Sequence, residues 1–419
     1  MGRIFFTGVN LVDGDNPACR NVTVVVSGER IAAVAREQDA PRPETQDTVI
    51  ALGGKTLMPG MYTTHFHCAY LNIELPIHVD IWHPPAYLAM VGAEHAKLAL
   101  SYGYTGVVSA GAPHDIDVAL RDAINDGIFV GPRMMPCSAY FTTTGDNAVD
   151  FHPYWLGITT QGLVRVCDGP EEFRKAVRRE IKTGVQMIKV YPTGGHGFPK
   201  EQPLNMSIEE QVAIVNTAHE RGVKVRGHVG TREGITTAVK LGYDLIDHAN
   251  AIDDECLELM SKQRTFVAPS LNIYVRDLVL KPGEPVPDRK NWMDRACEYW
   301  KEMLPKCEAA GVRLLHGDDY GTSADPHGNY AKEFEYYVKL GAKPLDVVRW
   351  ATKNGADVMG RLNDLGTITT GKLADLLVVD GDPLADVTIL QDRANLSVIM
   401  KGGAFVKNVL AGTAIKRMD

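Results

Sequence analysis

Two histidines one residue apart, His65 and His67, are the first residues whose spacing implies chemistry. In an extended strand, side chains two apart leave on the same face, so both imidazoles can reach one cation from one strand end. In a chain of 13 histidines the pair alone says little. Its weight grows because other residues also close short apolar runs. His228 follows the run 223–227, His248 follows 245–247, and Asp318 and Asp319 follow 314–317. Imidazoles and an acid at such positions are a ligand set for divalent cations. Taken singly, each has a plainer reading: a strand-end histidine held by a hydrogen bond, or an aspartate capping the next helix.

Lys189 poses a separate question. It sits among Met187, Ile188 and Val190, so its strand is buried. Burying an ammonium without a partner is costly, and burial favours the neutral amine. A neutral amine can add CO2 to form a carbamate, an anionic two-oxygen ligand able to bridge two cations. The alternatives are a carboxylate partner or a side chain that reaches solvent. Spacing alone does not separate them.

The elements that must position these residues follow from hydrophobic patterning. Apolar runs at 61–64, 105–109, 133–137, 186–190, 223–227, 244–246, 265–268 and 312–315 alternate with helical patterns at 87–101, 170–182, 208–221, 235–241 and 292–310. Asp168 and Ser207 stand where helix caps belong. Eight strands, each followed by a helical segment, predict an α/β fold, a (β/α)8 TIM barrel over residues 58–359. Active sites of that fold lie at the C-terminal ends of the strands, where the candidate residues fall. Short strands at 4–9, 23–26, 31–35, 374–379, 396–400 and 404–406 predict a small β-sandwich domain built from both chain termini, residues 1–57 and 360–419.

The loops after the strands set the substrate. His152 or His196 could hydrogen-bond a substrate carbonyl, and Tyr274 with Arg276 could anchor a carboxylate. The segment 141–155 and the stretch 81–85 read as walls or a lid.

Composition narrows the partners. The chain has 419 residues, 45% hydrophobic and 23% charged, with a net charge of −8 and no run of Lys or Arg. That argues against nucleic acid and membrane surfaces and for a small-molecule substrate. No apolar run is long enough to span a bilayer, and no signal peptide is expected. Seven scattered cysteines without a C-x-x-C pair predict reduced thiols and a cytoplasmic protein. Nothing decides between a monomer and a homo-oligomer.

The segment Met58-Pro59-Gly60-Met61-Tyr62-Thr63-Thr64-His65-Phe66-His67 resembles the first-strand signature of the amidohydrolase superfamily, in its imidazolonepropionase-like and prolidase-like branch. Thr63 and Thr64 replace an aspartate common there. The stretch 351–356, followed by Leu365-Gly366-Thr367-Ile368 and Gly371-Lys372-Leu373-Ala374-Asp375-Leu376, is similar to that family's A-T-x-N-x-A … G-T-I-x-x-G-x-x-A-D-L tail. Its glycine spacing also approaches a P-loop, but Leu373 stands where Ser or Thr must hold Mg2+.

The resemblance implies a metal-dependent hydrolase of an amide bond, peptide-like, N-acyl or cyclic, with two divalent ions, usually zinc. It assigns His65, His67 and Asp319 to one ion and His228 and His248 to the other, bridged by a carbamate on Lys189 and a hydroxide. Gly317-Asp318-Asp319 aligns with the family's G-[TS]-D, which makes Asp319 the catalytic acid and base and leaves Asp318 as the alternative. A deaminase or decarboxylase on the same barrel, or a non-catalytic dihydropyrimidinase-like scaffold, are the competing readings.

Overall fold

The computed structural model describes residues 2–146, 155, 162–194, 204–272 and 290–410. Its centre is two parallel sheets. The first runs Met61–Phe66, Tyr104–Ser109, Arg133–Met135. The second runs Val164–Val166, Cys137–Thr142, Met187–Val190, Lys224–Val229, Leu245–His248, Phe266–Ala268, Arg313–Leu314. The eight expected strands are all present. The third is split, because Pro136 has no N–H to give the ladder.

The two sheets are joined in two places. On one side only Pro136 separates them. On the other, Thr64 N–H donates to the His316 carbonyl at 2.9 Å and Asp319 N–H to the His65 carbonyl at 3.1 Å. Most parallel strands are connected through helices, among them Pro85–Ser101, Pro170–Thr183, Ile208–His219, Arg232–Leu241 and Lys290–Ala310. Ile116–Asn125, Asp254–Gln263 and Lys332–Lys339 are further helices in the alternation. Ser207 forms a full capping box with Glu210. Asp168 does not cap its helix: Gly169 takes that position, and the Asp168 carboxylate accepts instead from Thr144 N–H and Oγ1. Among the described residues, no helix is long and apolar enough to cross a membrane.

Strands from both ends of the chain form one further sheet, ordered Ala404–Asn408, Leu396–Lys401, Leu376–Val379, Thr56–Pro59, Ile4–Leu11, Cys19–Ser27, Arg30–Arg36. Thr48–Ala51 pairs alongside Ile4–Leu11. Thr48–Ala51 and Thr56–Pro59, four residues each, are too short to show a period in the sequence. The run Leu376-Leu377-Val378-Val379 is wholly buried because the strand has a core on each face. Leu376 and Val378 pack with Val24, Leu57 and Val398. Leu377 and Val379 turn the other way and join the large core of the parallel sheets.

The tail motif fastens this sheet to the rest. Arg133 donates to both oxygens of Asp375, at 2.8 and 3.0 Å, and Asp375 also accepts from Gly402 N–H at 2.7 Å. Asn354 Nδ2 donates to the Leu314 carbonyl at 2.8 Å. Gly366 has φ +85°, and a Cβ there would lie 2.6 Å from Ala356 Cβ, so the turn admits only glycine. Asp375→Ala should therefore lower unfolding free energy by about 2–4 kcal/mol, since it strands a largely buried guanidinium and a backbone N–H. Urea titration of the two proteins measures this; a change under about 0.5 kcal/mol would mean the contact fastens nothing.

Candidate active site

Of the residues singled out by sequence, His65, His67, Lys189, His228, His248 and Asp319 come together at or near the C-terminal ends of the parallel strands. His65 and His67 have ring centroids 5.1 Å apart, His65 and His248 5.3 Å, and His228 and His248 4.5 Å. Asp319 Oδ1 is 3.5 Å from His65 Nε2 and 3.1 Å from His67 Nε2. All are buried. His65, His248 and Asp319 each offer a ligand atom within 4.8 Å of the others, a group able to hold a metal ion.

Each of the first two imidazoles is oriented by its other nitrogen. His65 Nδ1 lies 3.0 Å from Ser270 Oγ and 3.5 Å from Asp247 Oδ1. His67 Nδ1 lies 3.0 Å from the Tyr140 hydroxyl, which in turn bonds Tyr70. Such partners fix ring angle and tautomer and leave Nε2 toward Asp319. Tyr70 stacks on His67 with centroids 4.2 Å apart, and Tyr191 stacks on His228 at 4.6 Å.

Asp318 and Asp319 part company here. Asp319 turns toward the imidazoles through a left-handed residue, φ 56°. Asp318 points elsewhere: it accepts from Thr63 Oγ1 and from Tyr320 N–H at 3.1 Å. Burial pushes its carboxyl up to about 7, despite those donors and with the Asp319 charge adding. Thr63, one of the two residues replacing the usual aspartate, is thus the anchor of Asp318. Thr64 Oγ1 donates to the His316 carbonyl at 2.9 Å.

Lys189 has no exposed surface. Its Nζ donates to Asp247 Oδ2 at 2.6 Å, so of the alternatives open from sequence the structure shows the carboxylate partner. Burial lowers the lysine pKa and Arg226 lowers it further, against the pull of Asp247. Arg226 is equally buried and grips both Asp247 oxygens. Its Nη1 donates to the carbonyls of Thr64 at 3.0 Å and Ser109 at 2.9 Å. Burial alone would raise the Asp247 pKa, but Arg226 and Lys189 together hold it below the usual carboxylate range. The His65 pKa is pushed well down by burial, with the two cations adding.

Sequence reasoning missed Arg226, Asp247, Ser270 and the three tyrosines. Arg226 was within reach, because it stands two residues before His228 and so shares its face. Asp247 was not. It adjoins His248, and both serve the same site only because His248 is left-handed, φ 69°. His152, His196, Tyr274 and Arg276 lie outside the described residues.

A buried imidazole–carboxylate cluster at the C-terminal ends of parallel strands is where α/β barrel enzymes carry their catalysis. The profile of the Amidohydrolase family matches residues 56–406. The chain belongs to that family, and is a hydrolase acting on carbon–nitrogen bonds. Ochratoxinase of Aspergillus niger is 28% identical over 430 residues, spanning 96% of this chain and 86% of the relative. Among solved structures, a Xaa-Pro dipeptidase with methionine in its active site is 27% identical, TM-score 0.81, covering 97% of this chain and 100% of that one. A prolidase complexed with N-methylphosphonate-L-proline is 30% identical, TM-score 0.83, with coverage of 97% and 100%.

Two outcomes follow. Asp247→Asn should lower the stability of the chelator-treated protein by about 3–5 kcal/mol, because two buried cations lose their counter-charge. An unchanged urea midpoint would show that the triad carries no such constraint. His316, buried with Nε2 2.9 Å from the Tyr104 hydroxyl, has its pKa pushed down to about 3 by burial. The unfolded chain titrates near 6.5, so below that pH it binds the proton first. The stability due to neutral His316 is complete above about pH 6.5 and drains as pH falls toward 3, by about 1.4 kcal/mol per unit. His316→Gln should flatten the pH slope between 6 and 4 by about one proton; an identical slope would contradict this.

Proposed function

We propose that this protein hydrolyses an amide bond of a small molecule, peptide-like, N-acyl or cyclic, at a pair of divalent metal ions. The carrying observation is the convergence of four imidazoles, Asp319 and a fully buried lysine at one strand-end rim. On this reading the two parallel sheets close as one eight-stranded barrel over 58–359, and residues 1–57 with 360–419 form the composite β-sandwich. The hydrogen bonds between residues 64–65 and 316–319 support closure. The absence of disulfides among the seven cysteines agrees with a cytoplasmic setting.

The donor chemistry suits the metals. Imidazole nitrogens with carboxylate oxygens favour zinc and admit manganese or cobalt. His65, His67 and Asp319 would hold one ion, His228 and His248 the other, with Lys189 between them as a carbamate. When bound, such ions lower the pKa of coordinated water toward about 7 and polarise a carbonyl. Asp319 takes the proton of the attacking water and returns it to the leaving nitrogen. Ser270 and Tyr140 hold the two imidazoles of the first strand in register, and Asp318 keeps Thr63 and the Tyr320 backbone in place.

The likeness to a Xaa-Pro dipeptidase and a prolidase supports a substrate with an amino-acid unit on one side of the amide. His152 or His196 would hydrogen-bond its carbonyl, and Tyr274 with Arg276 would anchor a carboxylate.

The test is metal analysis joined to a screen of zinc- and manganese-loaded protein on N-acyl amino acids, dipeptides, lactams and aryl amides. Wild type should carry two metals per chain and cleave at least one class. Lys189→Ala should lose most metal and activity, and short carboxylates added with metal should restore part of both. Asp319→Asn should keep metal better than turnover, which should fall at least roughly 100-fold. Unchanged metal content in Lys189→Ala would remove the carbamate. An inactive Asp318→Asn beside an active Asp319→Asn would move the proton transfer to Asp318.

A further inference from the structure

The same rim carries polar groups that the hydrolytic residues do not use. Asn250 stands two residues after His248, and Asn272 two residues after Ser270. The strands that precede them are neighbours, with Asp247 paired to Ala268. Both asparagines therefore sit just past adjacent strand ends, next to His248 and to the Ser270 that bonds His65. The backbone reaches them through left-handed residues, with φ 69° at His248, 49° at Ala249 and 53° at Ser270. Non-glycine residues seldom adopt that region, and where they do the strain often belongs to a working site.

Both side chains are buried, Asn250 at 3% exposure and Asn272 at 0%. Yet Asn250 Oδ1, and both Oδ1 and Nδ2 of Asn272, have no hydrogen-bond partner. Leaving a buried amide group unmet costs about 1–3 kcal/mol. The backbone beside it is fully tied: buried Glu333 accepts from the N–H of Leu271 and from that of Asn272 at 3.1 Å. Asn272 is thus held in position with its donor and acceptor both unspent, as a preorganised recognition group would be. Tyr62 and Thr105 also bury unpartnered hydroxyls, but at the opposite, N-terminal ends of their strands.

We propose that Asn250 and Asn272 recognise the amino-acid side of the scissile amide, a group that presents an acceptor and a donor side by side. An α-amino-acid unit has this form. Its carboxylate accepts from Asn272 Nδ2, and its amide N–H donates to a carboxamide oxygen of Asn272 or Asn250. The assignment rests on the amide-hydrolase reading and adds a specificity element to it. A site with an unmet donor and acceptor rejects analogues that lack the matching groups, because its own amides then stay unpaired.

The experiment compares metal-loaded, full-length wild type with Asn272→Leu and Asn250→Ala. The probes are N-acetyl-L-amino acids and the matching N-alkylacetamides, which lack the carboxylate. Leucine repeats the branched four-atom outline of asparagine without a polar atom, so Asn272→Leu, where accommodated, should melt at or above the wild-type temperature. Its KM for N-acetyl-L-amino acids should rise roughly 10- to 100-fold with kcat less affected, and preference over N-alkylacetamides should collapse. Asn250→Ala should move KM in the same direction by less. Should leucine not be accommodated, Asn272→Ala must give the same KM shift. Unaltered KM and preference in the Asn272 variants would overturn the proposal.

Binding is read separately, as the melting shift given by N-acetyl-L-amino acids in an Asp319→Asn background. If wild type cleaves none of the probes, the amide-hydrolase reading falls and this shift still decides the asparagines. Its loss on adding Asn272→Leu supports them; a shift undiminished there, or absent from Asp319→Asn itself, overturns them.

Discussion

A lysine ammonium with no access to water must be neutralised, and the site is arranged around how that is done. Lys189 and Arg226 share one carboxylate, Asp247, and none of the three has exposed surface. Two cations against one anion leave an excess positive charge in the interior. Asp319 is the next acid at the rim, 3.5 Å from His65 and 3.1 Å from His67. Conversion of Lys189 to a carbamate would replace +1 by −1. An anionic group there would suit the proposed divalent ions, and its formation would release Asp247 from one of its two cations. Buried ion pairs are weak sources of stability but strongly fix geometry, because breaking one leaves a stranded charge. Arg226 shows this directly, since it also spans to the carbonyls of Thr64 and Ser109 on two other strands.

The second constraint is backbone curvature at the strand ends. A regular strand sends neighbouring residues to opposite faces. At this rim His248, Ser270 and Asp319 are left-handed, which bends the chain so that consecutive residues can face the same space. Asp247 and His248 both join the cluster by this means, and Asp319 reaches the imidazoles while Asp318 turns to Thr63. The strain is held by surrounding contacts, such as Asp319 N–H on the His65 carbonyl and Glu333 on the backbone after Ser270.

How much of this could be read from sequence follows from the same physics. The strands were legible because buried parallel strands are continuous apolar runs between helical patterns. The histidines were legible because His65 and His67 obey the two-residue period. Asp247 was hidden because its use breaks that period. Thr48–Ala51 and Thr56–Pro59 were hidden by their length. Asp168 looked like a helix cap because residue type suggests a cap while geometry decides it; the helix starts one residue later and its carboxylate serves Thr144. The tail motif carried its own explanation, since Asp375, Asn354 and Gly366 each make a contact that ties the terminal sheet or its approach to the parallel strands.

The central claim is that side chains far apart in the chain jointly hold two metal ions around Lys189. Anomalous X-ray diffraction at the zinc and manganese absorption edges, on crystals grown without chelator, tests it most directly. The account predicts two peaks, one among His65, His67 and Asp319 and one beside His228 and His248, with density for a carbamate on Lys189 between them. Crystals of active enzyme with no peak at that rim, and Lys189 still bound to Asp247, would contradict it.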